Sequence, residues 1–506
     1  MKNIKRLLQL TLCALAFIMV SNTAQAQYDL TLYNIGNRLP QGNRLNPAFF
    51  PDSRMYLGLP VVSGTSVNVT SGFSLSDAIR ENGQNSNVLD LNYLLENISE
   101  NEFYAQKLHF PLLNLGIRSK RAYFTFDINY RHEGGMNLPK DLLATLARGN
   151  GHNGDYKEAA TKGFVDQIPN EVLETMNFDN LKLSQTSYTE IGFGYGRRFG
   201  DRLHLGAKVK FLWGHANIET EGLEGQLVTR PSNYALRMNL GSSPVIRTAG
   251  IMALSDDSES EYDDPMDYIL ESRNFGMGFD FGGLFRLDDK WSFSASLVDV
   301  GYITWKDDIK NTHLENAYEA NGEDIDRFFE LKAEYDDDFF TYFVDQLEDK
   351  YSDPEEKKDK YTTWLNGRMY ANATYKVTDY FSTGATFVGH AFGESFNPGL
   401  NVFGNLSVKE WLLFNANVGY VNKSFNNVGV GTVFTGGPVQ LFLATDNLFG
   451  ALDLNEARQV DFRFGFNFLI GRKKGREWRD KHESQLKDYR IGSNENSSES
   501  DSDTEF

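Results

Sequence analysis

Eight histidines, one run of carboxylates and five isolated charges are the residues of this 506-residue chain whose types could do chemistry. The histidines (His109, His132, His152, His204, His215, His313, His390 and His482) are scattered. No two have metal-ligand spacing, and no His-Glu-x-x-His helix occurs. Asp256, Asp257, Glu259, Glu261, Asp263 and Asp264 offer the oxygens a hard cation needs. They lack the central Gly and terminal Glu of an EF-hand loop, so a solvated acidic loop is expected. No Gly-x-Ser-x-Gly elbow is present. Gly192, Gly194 and Gly196 are closely spaced but lie in a strand pattern and open no helix, which argues against phosphate binding. Relief of crowding or a bend is their expected role. No catalytic residue, metal or cofactor is expected, and an enzyme is not indicated.

The five charges, Asp280, Arg286, Lys376, Asp461 and Arg463, sit in segments with a period of two. Phe275, Met277, Phe279, Phe281, Phe285 and Leu287 share one face, and Gly276, Gly278, Asp280, Gly282 and Arg286 the other. Val460, Phe462, Phe464, Phe466, Phe468 and Ile470 oppose Asp461, Arg463, Gly465 and Asn467 in the same way. Successive side chains of a strand point to opposite faces, so each segment has a greasy side and a wet side. A soluble sandwich would bury the greasy side, whereas an outer-membrane barrel turns it to lipid and lines its lumen with the other. The segments run to about ten residues or more, the length a tilted strand needs to cross a bilayer.

Short connections at 119–120, 200–202, 288–290, 378–379, 409–410 and 436–437 alternate with long ones. The strands expected are 55–70, 107–117, 121–131, 187–199, 203–214, 274–287, 291–302, 366–377, 380–391, 398–408, 411–422, 427–435, 438–447 and 459–470. Fourteen is an even number, as a bacterial single-chain barrel has, and all the tight turns then fall at one end. The fold expected is all-β: a transmembrane antiparallel outer-membrane β-barrel of about 14 strands with helical extracellular insertions. In it the five charges are candidate lumen residues, with Asn401, Asn405, Asn415 and Asn417 beside them. They either brace the interior as ion pairs or form a polar constriction.

Composition agrees. Aromatics make up 13% of the chain, too many for disorder, and the net charge of −19 argues against nucleic acid. Residues 1–26 read as a signal peptide: Lys2, Lys5 and Arg6, then the apolar run Leu7–Val20, then cleavage between Ala26 and Gln27. The one cysteine, Cys13, leaves with it, so no disulfide is expected. Residues 27–54 are expected to form a periplasmic, hatch-like N-terminal segment, 55–470 the barrel, and 471–506 a basic stem with a disordered acidic tail. The insertion 306–361 carries 19 acidic and 8 basic residues, and its apolar residues fall at helical spacing. It is read as a solvated helical lid or a surface for docking partners. Helical pieces are also expected near 137–147 and 155–176.

Several motifs carry a family resemblance. They are the box Asn46-Pro47-Ala48 within Leu39–Pro51, Tyr361–Trp364, Phe396–Leu400, Ser424–Val428, Thr445–Leu448 and Arg463–Asn467. Together they resemble a Bacteroidota outer-membrane barrel family known as domain of unknown function 5723, and more distantly FadL-like and PorV-like barrels. FadL-like kinship implies passage of hydrophobic molecules through a plugged barrel with an N-terminal hatch. PorV-like kinship implies a shuttle or scaffold in type IX secretion and gliding. Asn-Pro-Ala is in itself a turn signal that would set the N-terminal segment against the barrel.

Two functions follow. One is a non-enzymatic barrel that conducts or binds a small hydrophobic solute and is closed by Tyr28–Pro51. The other is a scaffold that docks envelope proteins through 306–361 and 472–490. Either would sit in the outer membrane of a Gram-negative bacterium, among its lipids, after delivery to the barrel assembly machinery.

Overall fold

The computed structural model describes residues 28–471, apart from 83–85, 90, 100, 149–173, 178–180, 222–225, 230–235, 239–244, 252–264, 314–317, 321–354, 393–394, 410 and 422–423. Ala26, Gln27, the acidic run 256–264, the core of the acidic insertion and the stem and tail after Gly471 lie outside the described residues.

Fourteen strands form the barrel wall: β1 (Met55–Ser71), β2 (Asn101–Arg118), β3 (Ala122–Pro139), β4 (Lys182–Phe199), β5 (Leu203–Glu221), β6 (Phe275–Arg286), β7 (Trp291–Trp305), β8 (Arg368–Lys376), β9 (Phe381–Phe392), β10 (Ser395–Val408), β11 (Leu412–Val421), β12 (Ser424–Gly436), β13 (Val439–Thr445) and β14 (Gln459–Ile470). Each pairs antiparallel with its neighbours in sequence. The sheet closes where Met55 of β1 pairs with Ile470 of β14. Closure leaves no edge whose amides would be stranded in hydrocarbon. Every segment expected from the period-two pattern is one of these strands. Among the described residues no helix is long and apolar enough to cross a membrane.

Along β14, Asp461, Arg463, Asn467 and Leu469 are buried, and Phe462 and Ile470 are exposed. Along β6, Asp280 is buried, and Phe275, Phe279, Phe281 and Phe285 are exposed. The aromatic row therefore meets lipid. All six tight turns lie at the end that also holds Met55 and Ile470, which marks that end as periplasmic.

At the other end β2 to β5 run 18 or 19 residues, well past the expected segments. Ladder pairing persists there after the outward apolar row has ended. Val245–Ala249 and Ile309–His313 extend this outer rim, and Tyr361–Trp364 pairs with β7. Where the insertion 306–361 is described its flanks are strands, so the helical expectation is corrected there. Its apolar run at 328–347 lies outside the described residues. The helix expected near 137–147 begins later, at Lys140, because strand β3 continues to Pro139. The described end of the helical piece expected near 155–176 belongs instead to a strand, Glu174–Asn177.

One wall strand is interrupted. Gly58 faces Asn467 and Ser63 faces Gly465, so residues 59–62 bulge out of β1. Pro60 has no N–H to give the ladder. The Ser63 hydroxyl replaces it, accepting from the Leu59 N–H at 2.6 Å and donating to the Phe466 carbonyl. Val61 and Val62 are exposed on the outer side of this bulge.

The core lies inside the barrel. Leu30, Leu32, Tyr33, Ile35, Leu39, Leu45 and Phe49 of the N-terminal segment pack on Val298, Tyr370, Val388, Leu413, Val433 and Phe442 of the wall.

Candidate functional site: a plugged and charged lumen

Residues 28–54, read from the sequence as a periplasmic, hatch-like segment, run inside the barrel. They descend from mid-lumen to the periplasmic rim, where the Arg54 N–H bonds to the Ile470 carbonyl at 3.0 Å. The top of this plug is helix α1 (Leu30–Ile35), all six residues of it buried. Its first N–H groups have no helical acceptor, a general need of helix starts. Asp446 supplies one, accepting from Leu30 and Thr31 at 3.2 and 2.7 Å.

Asparagines hold the rest of the helix. Asn34 donates to Asn401 at 2.7 Å, and Asn405 donates to the Asn34 carbonyl at 2.8 Å. Asn415 and Asn417 extend the chain, with Asn417 reaching the Thr31 hydroxyl at 2.8 Å. Tyr33 stacks on Tyr370 at 4.5 Å.

The Asn-Pro-Ala box seats the lower plug. Asn46 donates to the carbonyls of Gly283 and Ala295 at 3.3 and 3.2 Å, and its own side-chain oxygen accepts from the Ala48 N–H at 2.9 Å. Glycines make the seat. A Cβ at Gly206 would sit 2.3 Å from the Pro47 carbonyl oxygen, and one at Gly282 would sit 2.1 Å from the Asn46 side chain. Below the box, Phe50 stacks on His204 at 5.2 Å and fills the space over Gly196.

Above and beside α1 lies a network of buried charges. Asp29 accepts from Arg368 and Arg463, both at 2.7 Å, and pairs with Lys107 at 3.4 Å. Burial pushes its carboxyl up, but these three cations together hold it well below the usual carboxylate range. Arg463 also pairs with Asp446 at 2.9 Å and with Asp461, and it donates to the Tyr28 carbonyl. Arg368 continues to Asp299, which also takes Arg131 at 2.6 Å and Lys210 at 2.5 Å. Lys210 reaches Asp280 at 2.8 Å, and Arg131 reaches Glu190 at 2.9 Å. Charges this deep persist only when paired and hydrogen-bonded, so strands β2 to β8 and β14 are tied through the plug residue Asp29.

Of the five charges expected in the lumen, Asp280, Asp461 and Arg463 lie in this network. Arg286 and Lys376 lie outside the network, Arg286 lining the cavity beneath the plug helix. Both end their strands on the lumen-facing row, but at the periplasmic mouth. There Arg286 is exposed and Lys376 pairs with Asp379 of the adjoining turn at 2.6 Å. Sequence reading missed Asp29, Lys107, Arg131, Glu190, Lys210, Asp299 and Arg368. Lys210 carried a readable signal, since Lys208 and Lys210 alternate with Val209 and Phe211. Asp29 carried none.

A cavity of about 280 Å³ remains on the periplasmic side of α1, between the plug and strands β6 to β11. Tyr33, Ile35, Phe49, Leu284 and Leu413 give it an apolar surface, and Arg38, Arg286, Asn372 and Asn405 a polar one.

A closed fourteen-stranded wall with an aromatic lipid-facing surface, threaded by its own N-terminal segment, defines a plugged outer-membrane β-barrel. The chain belongs to the Family of unknown function (DUF5723), whose profile matches residues 47–446. No curated protein matches it. Among solved structures it is similar in outline to the CymD monoaromatic hydrocarbon channel, at 10% identity over 86% of this chain and 94% of that one, with a TM-score of 0.38. The Ralstonia pickettii toluene transporter TbuX gives 10% identity, 85% and 93% coverage and a TM-score of 0.37. A Pseudomonas aeruginosa FadL homologue gives 10% identity, 89% and 100% coverage and a TM-score of 0.39. At these scores the likeness does not extend to solute or mechanism.

Proposed function

We propose that the protein is a non-enzymatic channel of a Gram-negative outer membrane, closed by its N-terminal plug, for a small solute with an apolar face. One observation carries this reading: a solute-sized cavity ends against α1, and only non-covalent contacts hold α1 in place. Shifting one short helix would join the cavity to the outer half of the lumen. The apolar surface of Tyr33, Ile35, Phe49, Leu284 and Leu413 supports a partly hydrophobic solute.

Deleting residues 28–53 is expected to raise single-channel conductance in planar bilayers severalfold. Unchanged conductance in a folded deletion variant would overturn the reading. The mature chain as read has no cysteine, so a pair introduced by Asn34→Cys and Asn401→Cys can be cross-linked cleanly. Cross-linking should abolish uptake, and reduction should restore it.

A second reading, a scaffold for envelope proteins, is favoured by Leu75, Phe449, Leu452 and Leu454, all exposed on outer loops. The loops that carry them are joined, the Ser76 N–H bonding to the Asn455 carbonyl at 2.8 Å. Exposed apolar residues of this kind mark contact sites. Native mass spectrometry after mild extraction should then show a stoichiometric partner that is lost in Phe449→Ser/Leu452→Ser; a lone barrel sinks this reading.

A further inference from the structure

On the lipid-facing side of the outer rim, three neighbouring strands change from aromatic to basic in the same order. Along β7 the outward row begins at Trp291, beside the periplasmic turn. It continues through Phe293, Leu297, Val300 and Tyr302, all exposed, to Thr304 and Lys306. Tyr302 thus ends a stretch of about 9–11 residues, the length with which a tilted strand crosses a bilayer. In the strand Tyr361–Trp364, the outward row runs from Trp364 through Thr362 to Lys360. In β6, Phe275 is followed by Arg273.

The register aligns these rows. Tyr302 faces Trp364, and Thr304 faces both Thr362 and Phe275. Arg273, Lys306 and Lys360 therefore stand abreast, one step further out on the same row. The residues that alternate with them, Ser272, Asn274, Trp305, Asp307 and Tyr361, are all buried, so the three cations face away from the lumen. Just below them, the Tyr302 and Trp364 rings lie 5.8 Å apart and Phe275 meets Trp213 at 5.7 Å. Such an aromatic girdle marks the membrane interface. Between girdle and cations, the Thr304 and Thr362 hydroxyls are 3.3 Å apart.

Buried Asn274 fixes this tier where the β6–β7 ladder ends. Its side-chain oxygen accepts from the N–H groups of Lys306 and Asp307 at 2.7 and 3.0 Å. The Asp307 carboxylate accepts from the Arg273 N–H and from its guanidinium, both at 2.6 Å, yet the Arg273 side chain stays 77% exposed. Lys306 and Lys360 are exposed, and among the described residues neither forms an ion pair. Asp359 has the parity of buried Tyr361, and exposed Glu271 ends the short helix Pro265–Glu271 without pairing to either lysine.

Cations just beyond a girdle attract anionic headgroups, and lysine stems lie along the apolar surface beneath them. Ammonium and guanidinium groups both hold phosphate oxygens by charge-assisted bonds. Neighbouring strands are about 4.8 Å apart, so three cations abreast span about 10 Å, wider than one phosphate. The threonine tier lies where a sugar head presents hydroxyl and amide groups, between its acyl chains and its phosphates.

We infer that this face binds the phosphorylated glycolipid of the outer leaflet. The phosphates of its disaccharide head lie on Arg273, Lys306 and Lys360, and its acyl chains run down over Tyr302, Trp364 and Val300. The site needs the outer-membrane placement of the barrel but is independent of the channel reading, since it lies outside the lumen.

The test is native mass spectrometry of the purified full-length barrel, titrated in neutral detergent with bisphosphorylated lipid A, with dephosphorylated lipid A and with phosphatidylglycerol. Bisphosphorylated lipid A is expected to saturate one site and to bind at least tenfold more tightly than the dephosphorylated form, a comparison that needs no variant. Lys306→Gln/Lys360→Gln should weaken it at least tenfold, and Lys306→Arg/Lys360→Arg should keep it. Both variants change exposed side chains, so the mobility of the unheated barrel should match the parent. No saturable binding, equal binding of the dephosphorylated form, or binding indifferent to the glutamine pair overturns the site. Phosphatidylglycerol binding as tightly as lipid A would make the row a general anionic-lipid contact and overturn the glycolipid assignment.

Discussion

Replacing Asp29 with alanine is expected to unseat the plug while leaving the barrel folded. Asp29 receives Lys107, Arg368 and Arg463. Arg368 keeps Asp299 and Arg463 keeps Asp446 and Asp461 when Asp29 is gone. Among the described residues Lys107 forms no other ion pair, and it is left as a buried charge. Breaking a buried pair from one side costs about 3–5 kcal/mol. The cheapest relief is to let water reach Lys107, and α1 is the element in the way. The wall cannot yield so easily, since its backbone ladder is closed all round.

The expected result for Asp29→Ala is therefore conductance close to that of the plug deletion, with trypsin gaining access to Arg38 and Arg44. Electrophoretic mobility of the unheated barrel should be unchanged. Adding Lys107→Met should restore closure, a coupling that a double-mutant cycle reads directly. The contribution of Asp29 is present above its unfolded-state value and lost as pH falls through its much lower folded value. Closure should therefore persist to pH values below the ordinary carboxylate range, and an Asp29→Ala channel that stays shut and trypsin-resistant would refute the argument.

What was legible in the sequence follows from where each signal is written. Strands β6 and β14 announce themselves because lipid on one side and a polar lumen on the other impose a strict period of two. The bulge at 59–62 is signalled by Pro60 alone, since Leu59, Val61 and Val62 are as strand-like as the residues around them. Parity put Arg286 and Lys376 on the lumen row. It cannot say how deep along the strand a residue sits, and both lie near the mouth, outside the charge network.

The plug is harder still. Leu30, Leu32, Tyr33 and Ile35 are apolar, but their partners lie in distant strands, and half of the binding is polar, as in Asn34 with Asn401. Asp29 and Arg463 are 434 residues apart and meet only because the barrel closes. A sequence shows such charges singly; their pairing is a property of closure. The Asn-Pro-Ala box was visible as a turn, whereas its seat at Gly206 and Gly282 needed the register of β5 and β6.

Asp299 carries the other large expected effect, and it falls on the wall. Phe279 faces Val300 while Phe281 faces Leu297, so β7 bulges at Val298 and Asp299 opposite Asp280. Asp299 sits there at φ 60°, a left-handed conformation that costs most residues energy and that Asn and Asp tolerate better. Its N–H donates to Asp280 at 2.8 Å, and its carboxylate faces Arg131, Lys210 and Arg368. Two explanations of this residue can be separated. If the backbone conformation dominates, Asp299→Gly should be neutral or stabilising, because glycine adopts positive φ freely. If the charge dominates, Gly and Asn should both fail, since each leaves three buried cations short of an anion.

Charge is expected to win. The strain at one such position is of order 1–3 kcal/mol, whereas breaking one buried pair costs about 3–5 kcal/mol and three cations lose a partner here. These cations stand on β3, β5 and β8, which no helix movement can hydrate. Asp299→Asn and Asp299→Gly should therefore both lower the urea midpoint of the barrel refolded into lipid vesicles, and in Asp299→Ala the heat-resistant folded band should be largely lost. A glycine variant as stable as the parent would show that the network is over-supplied with anions, and that Asp299 is kept for the bulge.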